Sequence, residues 1–248
     1  MVVTGGAGGI GAALCRRFAR EGAAAVVAAD IDGRAAEKLA GEINGVGMAC
    51  DAGSEDDIVR LIDETEARFG PIDLFCSNAG IMVMGGVEVP NEAWQRIWQV
   101  NVMSHVYAAR ALVDRMIARG GGYLVITASA AGLLSQIGSA PYSVTKHAAV
   151  GLAENIAITY GDRNIRVSVI CPQAVATAMT SQGGGVAAVD GMIEADQVAG
   201  ETLKALAEER FLVLPHPEVA TYMQRKTADY DRWLAGMRRL QDRFTRGS

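Results

Sequence analysis

The sequence lacks cysteine pairs and long hydrophobic runs. Only four of its 248 residues are cysteines, and they stand far apart without CxxC or metal-ligand spacing, at Cys15, Cys50, Cys76 and Cys171. The longest apolar runs, such as residues 23–29, are far below the ~20 residues that cross a bilayer. We therefore expect reduced, buried thiols in a cytoplasmic protein without a membrane span.

Positive charge is scarce as well. The net charge is -5 and the isoelectric point is near 5.3, so the chain has no basic surface for nucleic acid. The histidines are scattered without the spacing of a metal site, at His105, His147 and His216, and no metal is predicted. Half of the residues are hydrophobic, which suffices for one large core. A small-molecule partner is favoured.

Glycine is abundant, and it is concentrated near the N-terminus. Residues 4–11, TGGAGGIG, follow a short valine run and precede a helical pattern that Gly22 ends. A glycine turn between a strand and a helix lets the backbone approach a pyrophosphate, with the helix N-terminus directed at its negative charge. Alone this octamer is weak evidence of a nucleotide site, because glycines also form ordinary loops.

The next apolar segment, AAAVVAAD, predicts a buried strand that ends in Asp30, nineteen residues after Gly11. A carboxylate at that place can accept hydrogen bonds from the adenosine ribose hydroxyls and would repel a 2′-phosphate. No Arg or Lys lies within the glycine turn or directly after Asp30. NAD is therefore favoured over NADP, and Arg34 is interpreted as a solvated residue in the first turn of the next helix.

Further strands and helices alternate along the chain. VGMACD predicts a third strand ending in Asp51, whose carboxylate could accept from an adenine amino group. Ser54 and Asp57 form a capping-box pattern for a helix that reaches Phe69. IDLFCSNAG then predicts a fourth strand that runs into residues 78–80. This alternation indicates an α/β fold with a doubly wound parallel sheet covered on both faces.

Residues 129–146 contain the best candidates for chemistry. Tyr142 and Lys146 are four residues apart after Pro141, so one helix would present both side chains on one face. A cation at ~4 Å contributes about 4 kcal/mol at an effective dielectric of ~20, enough to bring a phenol pKa from ~10 towards neutrality. Ser129, at the end of YLVITA, could hydrogen-bond the oxygen that gains or loses the proton. On these residues alone, an exposed Tyr–Lys pair is an equally good interpretation.

Taken together, these motifs resemble the short-chain dehydrogenase/reductase family. The matching elements are TGGAGGIG at 4–11, Asp30, Asp51, NAG at 78–80, Asn101, Ser129 and YSVTK at 142–146. The resemblance extends over residues 2–214 and implies a Rossmann-type sheet, a nicotinamide cofactor and a catalytic tetrad of Asn101, Ser129, Tyr142 and Lys146. In the family pattern the asparagine interrupts its helix, 91–119 here, and holds a water in a proton relay.

The resemblance also implies where the cofactor binds. The expected contacts are Gly5, Gly9, Ile10, Gly11, Asp30, Asp51, Ala52, Asn78, Ala79, Gly80, Tyr142, Lys146, Pro172, Val175 and Thr177. One position departs from the pattern, because the family commonly has glycine after the proline and this chain has Gln173. We hypothesise that Gln173 narrows the pocket or binds a polar group of the substrate.

Two segments follow the motifs. Residues 178–195 have three consecutive glycines and predict a mobile lid over the substrate. Residues 215–248 extend beyond the domain predicted for residues 1–214 and carry an apolar stripe at helical spacing, Val219, Met223, Tyr230, Leu234, Met237 and Leu240. We expect this extension to pack on the same domain or a neighbouring subunit; closing the active site and binding a membrane surface are alternatives.

The expected activity is NAD-dependent interconversion of a secondary alcohol and its ketone, with Tyr142 as general acid and base. Two alternatives stay open: an NADPH-dependent 3-oxoacyl-type ketoreductase and a dinucleotide-binding sensor or scaffold without turnover. The resemblance further implies a homodimer or homotetramer. The sequence identifies neither the substrate nor whether the native chain begins upstream of Met1.

Overall fold

The computed structural model describes residues 1–181 and 185–246, in which strands and helices alternate. The strands are β1 (Val2–Thr4), β2 (Val27–Asp30), β3 (Val46–Ala49), β4 (Leu74–Ser77), β5 (Gly122–Thr127), β6 (Ile165–Ile170), β7 (Val175–Ala176), β8 (Ile193–Glu194) and β9 (Leu212–Val213). The α-helices are α1 (Gly9–Arg20), α2 (Gly33–Ile43), α3 (Glu55–Phe69), α4 (Asn91–Trp98), α5 (Ser104–Ala118), α6 (Ala140–Tyr160), α7 (Ala195–Ala207), α8 (Glu218–Ala228) and α9 (Tyr230–Arg246).

Seven strands form one parallel sheet in the order β3-β2-β1-β4-β5-β6-β9. In the centre, Val3 of β1 pairs with Ala28 of β2 on one side and with Cys76 of β4 on the other. The strand order reverses between β1 and β4, and open α/β sheets bind ligands outside the carboxyl ends of their strands at such a point. The predicted doubly wound Rossmann-type sheet is confirmed.

The helices cover both faces of the sheet, and each face has its own core. On one face, Ile58, Leu112 and Ile156 bring α3, α5 and α6 onto the sheet. On the other, Phe18 and Val198 do the same for α1 and α7. Apolar residues on both faces of every central strand explain why the strands are nearly continuous hydrophobic runs. The four cysteines are buried and unpaired, as predicted.

The helical pattern over residues 91–119 is not one helix. Helix α4 ends at Trp98, a π-helical turn follows at Gln99–Met103, and α5 then begins at Ser104. The break predicted at Asn101 is confirmed and takes the form of this π-helical turn, a feature that frequently marks functional sites.

The capping box predicted for α3 is only half correct. The Ser54 hydroxyl accepts from the Asp57 N–H at 3.3 Å, as a cap should. The Asp57 carboxylate does not accept from the Ser54 N–H, as a full capping box requires. It accepts instead from the N–H of Asp51, at 2.9 Å. The carboxylate therefore fixes the turn that carries Asp51.

The predicted stripe after residue 214 is divided between two helices. Val219 of α8 is fully buried against Ala130 and Leu134 of its own chain, whereas Tyr230 and Leu234 of α9 are exposed.

The predicted lid has more structure than its glycines suggest: β8 pairs with β7, although residues 182–184 lie outside the described residues. Within residues 1–181 and 185–246, no helix is long and apolar enough to cross a membrane.

Candidate active site

The glycine turn joins the end of β1 to the start of α1. Gly5 and Gly9 have φ angles of 61° and 52°, which side chains disfavour. A Cβ on Gly11 would lie 2.0 Å from the Gly5 carbonyl oxygen, so only glycine lets α1 begin this close to the strand. The N–H groups of the first helical turn, including Ile10 and Gly11, have no carbonyl within α1 to bind. These residues therefore fit a bound pyrophosphate.

Asp30 lies beside this turn at the carboxyl end of β2. Its Oδ2 accepts from the N–H of Ala7 at 3.0 Å, and its Oδ1 accepts from the N–H of Asp32 at 3.1 Å. Two backbone donors thus hold the carboxylate against the glycine turn, where a nucleotide ribose is bound in such folds. Arg34 is exposed in the first turn of α2, as predicted.

Asp51 is held farther along the same edge by groups of this chain. Its Oδ1 accepts from the Gly53 N–H at 2.8 Å, and its Oδ2 lies 3.4 Å from the Arg96 guanidinium. The neighbouring Ala52 is buried. One carboxylate oxygen is therefore used to shape the turn, and the other faces a cation, so the predicted adenine contact must share Asp51 with these partners.

Residues 78–80 are fixed between β1 and β5. The Asn78 amide donates to the Thr4 carbonyl oxygen at 3.1 Å and accepts from the Thr127 hydroxyl at 2.9 Å. The Thr4 hydroxyl in turn accepts from the N–H groups of Asn78 and Ala79. A Cβ on Gly5 would stand 2.9 Å from the Ala79 Cα, which shows how closely the two turns pack at the switch point.

Asn101 is fully buried in the π-helical turn. Its Oδ1 accepts from the Ile81 N–H at 2.8 Å, and its Nδ2 donates to the Ile81 carbonyl at 2.9 Å. A Cβ on Gly80 would lie 3.4 Å from both the Asn101 Oδ1 and the Lys146 Nζ. Asn101 thus anchors the loop that follows β4 directly beside the lysine.

Ser129, Tyr142 and Lys146 are buried together at the ends of β5 and α6. Ser139 caps α6 by accepting from the Tyr142 N–H at 3.3 Å, which fixes the first turn and the phenol on it. The Lys146 Nζ donates to the Thr127 carbonyl at 2.8 Å and lies 5.6 Å from the centre of the Tyr142 ring. The Ser129 hydroxyl lies near Pro172, whose carbonyl oxygen is 3.3 Å away.

The charge states of this cluster follow mainly from burial. Burial lowers the pKa of Lys146 to about 8, and burial raises the pKa of Tyr142 above its ordinary value while the Ser129 hydroxyl lowers it. The predicted net lowering of the Tyr142 pKa is therefore wrong for this arrangement, because desolvation of the phenolate outweighs the hydrogen bond from Ser129. At neutral pH Tyr142 keeps its proton.

His105 was not predicted as a site residue, yet it lies close to this cluster. Its side chain is fully buried on α5, and its Nδ1 is 2.6 Å from the Ser77 hydroxyl. Burial, together with the positive charge of Lys146, lowers the pKa of His105 to about 3. Its position one helical turn after Asn101 was the only available signal, and we read both residues as facing the same side of the helix.

Pro172 to Thr177 form the wall on the other side. Pro172 and Val175 are buried, and Thr177 packs against the glycine turn, since a Cβ on Gly9 would lie 3.0 Å from its methyl group. The Gln173 Nε2 donates to the Asp190 carboxylate at 3.0 Å. The Gln173 Oε1 is buried and has no hydrogen-bond partner in the part of the chain that the structure describes. The hypothesis that Gln173 contacts the substrate stays a prediction.

The predicted site residues thus converge at the carboxyl edge of the sheet, with the glycine turn and Asp30 at one end and Tyr142 at the other. Among residues 1–181 and 185–246, no three His, Cys, Asp or Glu side chains are grouped so that they could hold a metal ion.

Comparisons with known proteins give a consistent result. A model of the family described as short chain dehydrogenase matches residues 1–184. A 1-deoxy-11-beta-hydroxypentalenate dehydrogenase from Streptomyces exfoliatus is 37% identical over 231 residues, which cover 88% of this chain and 82% of that protein. A 3beta-hydroxysteroid dehydrogenase 2 from Eggerthella lenta is 36% identical over 179 residues, covering 69% and 68%.

The fold comparison adds a protein with a bound dinucleotide. The crystal structure of a short-chain dehydrogenase/reductase from Burkholderia phymatum in complex with NAD superposes with a TM-score of 0.84. It is 26% identical, and the match covers 93% of each chain.

Proposed function

The chain belongs to the short-chain dehydrogenase family, and we propose on that basis that it interconverts a secondary alcohol and its ketone with NAD. Its hydroxy-dehydrogenase relatives support the coarser statement that it is an oxidoreductase acting on hydroxyl groups. The observation that carries the finer proposal is the meeting of Ser129, Tyr142 and Lys146 beside residues that fit a dinucleotide.

Tyr142 is the proposed proton-transfer group. Its raised pKa keeps the phenol protonated at neutral pH, which suits the general acid that donates a proton to the oxygen of a ketone. In the direction of alcohol oxidation the same oxygen must accept a proton, and the nearby cation of Lys146 would stabilise the phenolate in a site of low dielectric. Ser129 would hold the reacting oxygen by a hydrogen bond.

The remaining residues of the tetrad, Asn101 and Lys146, would position the cofactor and connect the site to solvent for proton exchange. Asn101 fixes the backbone after β4 and so fixes Gly80 beside Lys146. The Lys146 ammonium is oriented by the Thr127 carbonyl, which leaves its other two donors for the nicotinamide ribose and for a water held at Asn101. When bound, the nicotinamide supplies the hydride chemistry.

The residues proposed to hold NAD are distributed along the carboxyl edge. The turn at Gly5, Gly9, Ile10 and Gly11 would bind the pyrophosphate, and residues 78–80 would contact the nicotinamide half of the cofactor. Pro172, Val175 and Thr177 would hold the carboxamide, and Asp51 with Ala52 the adenine. Asp30 favours NAD over NADP, because a carboxylate held at the glycine turn repels a 2′-phosphate.

An apolar alcohol fits the surroundings of Tyr142 best. Ile81, Met82 and Val83 pack around the tyrosine, and Met84 lies 3.5 Å from the Cβ position of Gly138. One relative is named for a hydroxysteroid, an apolar secondary alcohol. We infer further that the enzyme works in the cytoplasm as a homodimer or homotetramer; the four buried, unpaired cysteines suit a reducing compartment.

Replacing Tyr142 by phenylalanine tests the proposal. Tyr142→Phe removes one oxygen atom and no packing volume, so NAD binding should be retained while turnover falls by at least about a hundredfold, the range of general acid–base catalysis. Activity is measured by NAD reduction with a panel of secondary alcohols, and binding by calorimetry. Tyr160→Phe, at the far end of the same helix, is the matched control and should keep wild-type activity.

Near wild-type turnover in Tyr142→Phe would refute the assignment of the proton-transfer group. Loss of NAD binding together with turnover would point instead to a structural role for the hydroxyl.

A further inference from the structure

One acidic residue joins three separate parts of the chain around the site. Asp190 lies between the 3-10 turn at Gly185–Ala188 and strand β8. Its Oδ2 accepts from the Gln173 amide at 3.0 Å, and its Oδ1 accepts from the Tyr222 hydroxyl at 2.8 Å. The two donors belong to the loop after β6 and to helix α8.

The first partner, Gln173, is itself fixed in the loop that would hold the nicotinamide carboxamide. Its N–H donates to the Nδ1 of the buried His216 at 3.2 Å. The neighbouring Ala174 donates to the Ala187 carbonyl at 3.1 Å and accepts from the Ile193 N–H at 3.2 Å. The segment that carries Asp190 is therefore already paired with this loop on both sides of Asp190.

The second partner, Tyr222, belongs to a helix that is anchored beside the catalytic serine. Val219 of α8 is buried against Ala130, the residue after Ser129. One turn beyond Tyr222, the Lys226 Nζ donates to the Leu133 carbonyl at 2.7 Å. Helix α8 thus has a fixed position relative to the Ser129 turn. The hydrogen bond from Tyr222 ties Asp190 to this helix.

We propose that Asp190 is a positioning residue, which fixes residues 187–193 over the reaction site by joining Gln173 to Tyr222. This inference rests on the proposed function. Asp190 has no part in proton or hydride transfer; it sets the ordering of a substrate-covering segment. Where the family commonly has a glycine, this chain has a side chain long enough to reach Asp190, and the C-terminal extension supplies the second donor.

The expected size of the effect follows from the exposure of the bridge. Asp190 is solvent-exposed, so water competes for both hydrogen bonds and each has only the usual net strength. Loss of one such bond changes an equilibrium roughly fivefold, and loss of both changes it more. The segment would then have to be ordered when the substrate binds, which raises KM and leaves kcat nearly unchanged.

Amide hydrogen exchange measures the ordering without any substrate. The N–H groups of Ala174 and Ile193 should exchange roughly fivefold faster than in the wild type in Tyr222→Phe, which loses one bond, and faster still in Asp190→Ala, which loses two. The double variant should exchange no faster than Asp190→Ala, because the two residues share one bond. Tyr230→Phe, on the exposed start of α9, is the control and should leave exchange unchanged.

Kinetics separate positioning from catalysis. Asp190→Ala, which removes both bonds, should raise KM for the alcohol more than about fivefold with kcat within about twofold of the wild type. Asp190→Asn keeps an oxygen acceptor, so its KM should lie between those of the wild type and Asp190→Ala. Unchanged exchange in both Asp190→Ala and Tyr222→Phe would overturn the proposal, as would a fall in kcat as large as that in kcat/KM.

The two proposals can fail separately. If the wild type oxidises no alcohol, the proposed function fails while the exchange measurement still decides whether Asp190 orders the segment. If Tyr142→Phe is inactive and the exchange rates do not change, the function stands and the role of Asp190 is wrong.

Discussion

At the scale of single residues, the proposed preference for NAD depends most directly on Asp30. Asp30→Asn removes the charge but keeps an oxygen acceptor for the Ala7 N–H. The ratio of kcat/KM for NAD to that for NADP should fall by about tenfold or more, because the repulsion of a 2′-phosphate is lost. Steady-state rates with the two cofactors measure it.

The control for this prediction is Asp32→Asn. Asp32 caps α2 by accepting from the Ala35 N–H at 3.0 Å, and asparagine caps a helix equally well. An unchanged ratio in Asp30→Asn, or a wild type that prefers NADPH, would contradict the account and favour the ketoreductase alternative.

The lowered pKa of His105 makes the free energy of unfolding depend on pH. Its folded-state pKa is about 3, whereas an unfolded histidine binds a proton below ~6.5. Between these values the unfolded chain takes up a proton that the folded chain does not. This contribution to the free energy of unfolding is therefore complete above pH ~6.5 and is lost at about 1.4 kcal/mol per pH unit as the pH falls.

Urea denaturation between pH ~6.5 and pH ~5 measures this slope. His105→Asn should flatten this slope, because it removes the buried imidazole. Equal slopes in wild type and His105→Asn would show that the buried histidine does not titrate as its burial requires.

At this scale the sequence identified the candidate catalytic residues but not their environment. Tyr142 and Lys146 were found from a spacing of four on one helix face, and Ser129 from the end of a strand. The direction of the Tyr142 pKa shift could not be found this way, because it depends on how much chain packs over the phenol. The burial of His105 beside Ser77 likewise depends on contacts distant in sequence.

At the scale of elements, the junction of β1 and α1 depends on a glycine contact. A Cβ on Gly11 would lie 2.0 Å from the Gly5 carbonyl oxygen, so Gly11→Ala must push α1 away from the turn. We expect an NAD dissociation constant at least about tenfold higher and a loss of roughly 1–3 kcal/mol in the free energy of unfolding. Calorimetric NAD titration and urea denaturation measure the two effects.

Gly41→Ala is the matched control for that variant. Gly41 lies on the exposed side of α2, and a Cβ there would meet nothing within 4 Å. Alanine should stabilise this helix by roughly 0.5–1 kcal/mol and leave NAD binding unchanged. Tight NAD binding by Gly11→Ala would show that the close approach of turn and helix is not required.

Most elements could be predicted from periodicity and turn residues, whereas their breaks could not. An interruption at Asn101 was expected only from the family resemblance, since the apolar pattern over 91–119 runs through it. The form of the interruption, a π-helical turn at Gln99–Met103, was not predicted. The break at Asp229 between α8 and α9 was missed, because both helices continue one apolar stripe. Their different packing, buried Val219 against exposed Leu234, depends on the tertiary structure.

At the scale of the whole molecule, the C-terminal extension packs beside the candidate site. The parallel sheet brings Asp30, Asn101 and Tyr142 to one edge from widely separated parts of the chain. Helix α8 then contacts the segment after Ser129 and, through Tyr222, the segment at Asp190. The doubly wound parallel sheet could be predicted from the alternation of strands and helices. The contacts of α8 could not, because its apolar stripe suits several partners.

The most direct test of the central claim is hydride transfer from an alcohol of known structure. A panel of apolar secondary alcohols, deuterated at the carbinol carbon, is incubated with NAD and enzyme, and the reduced cofactor is analysed by mass spectrometry. The account predicts deuterium in the reduced nicotinamide with at least one alcohol, and its absence with Tyr142→Phe. A wild type that binds NAD tightly but transfers no deuterium from any alcohol would contradict it and indicate a dinucleotide-binding sensor or scaffold.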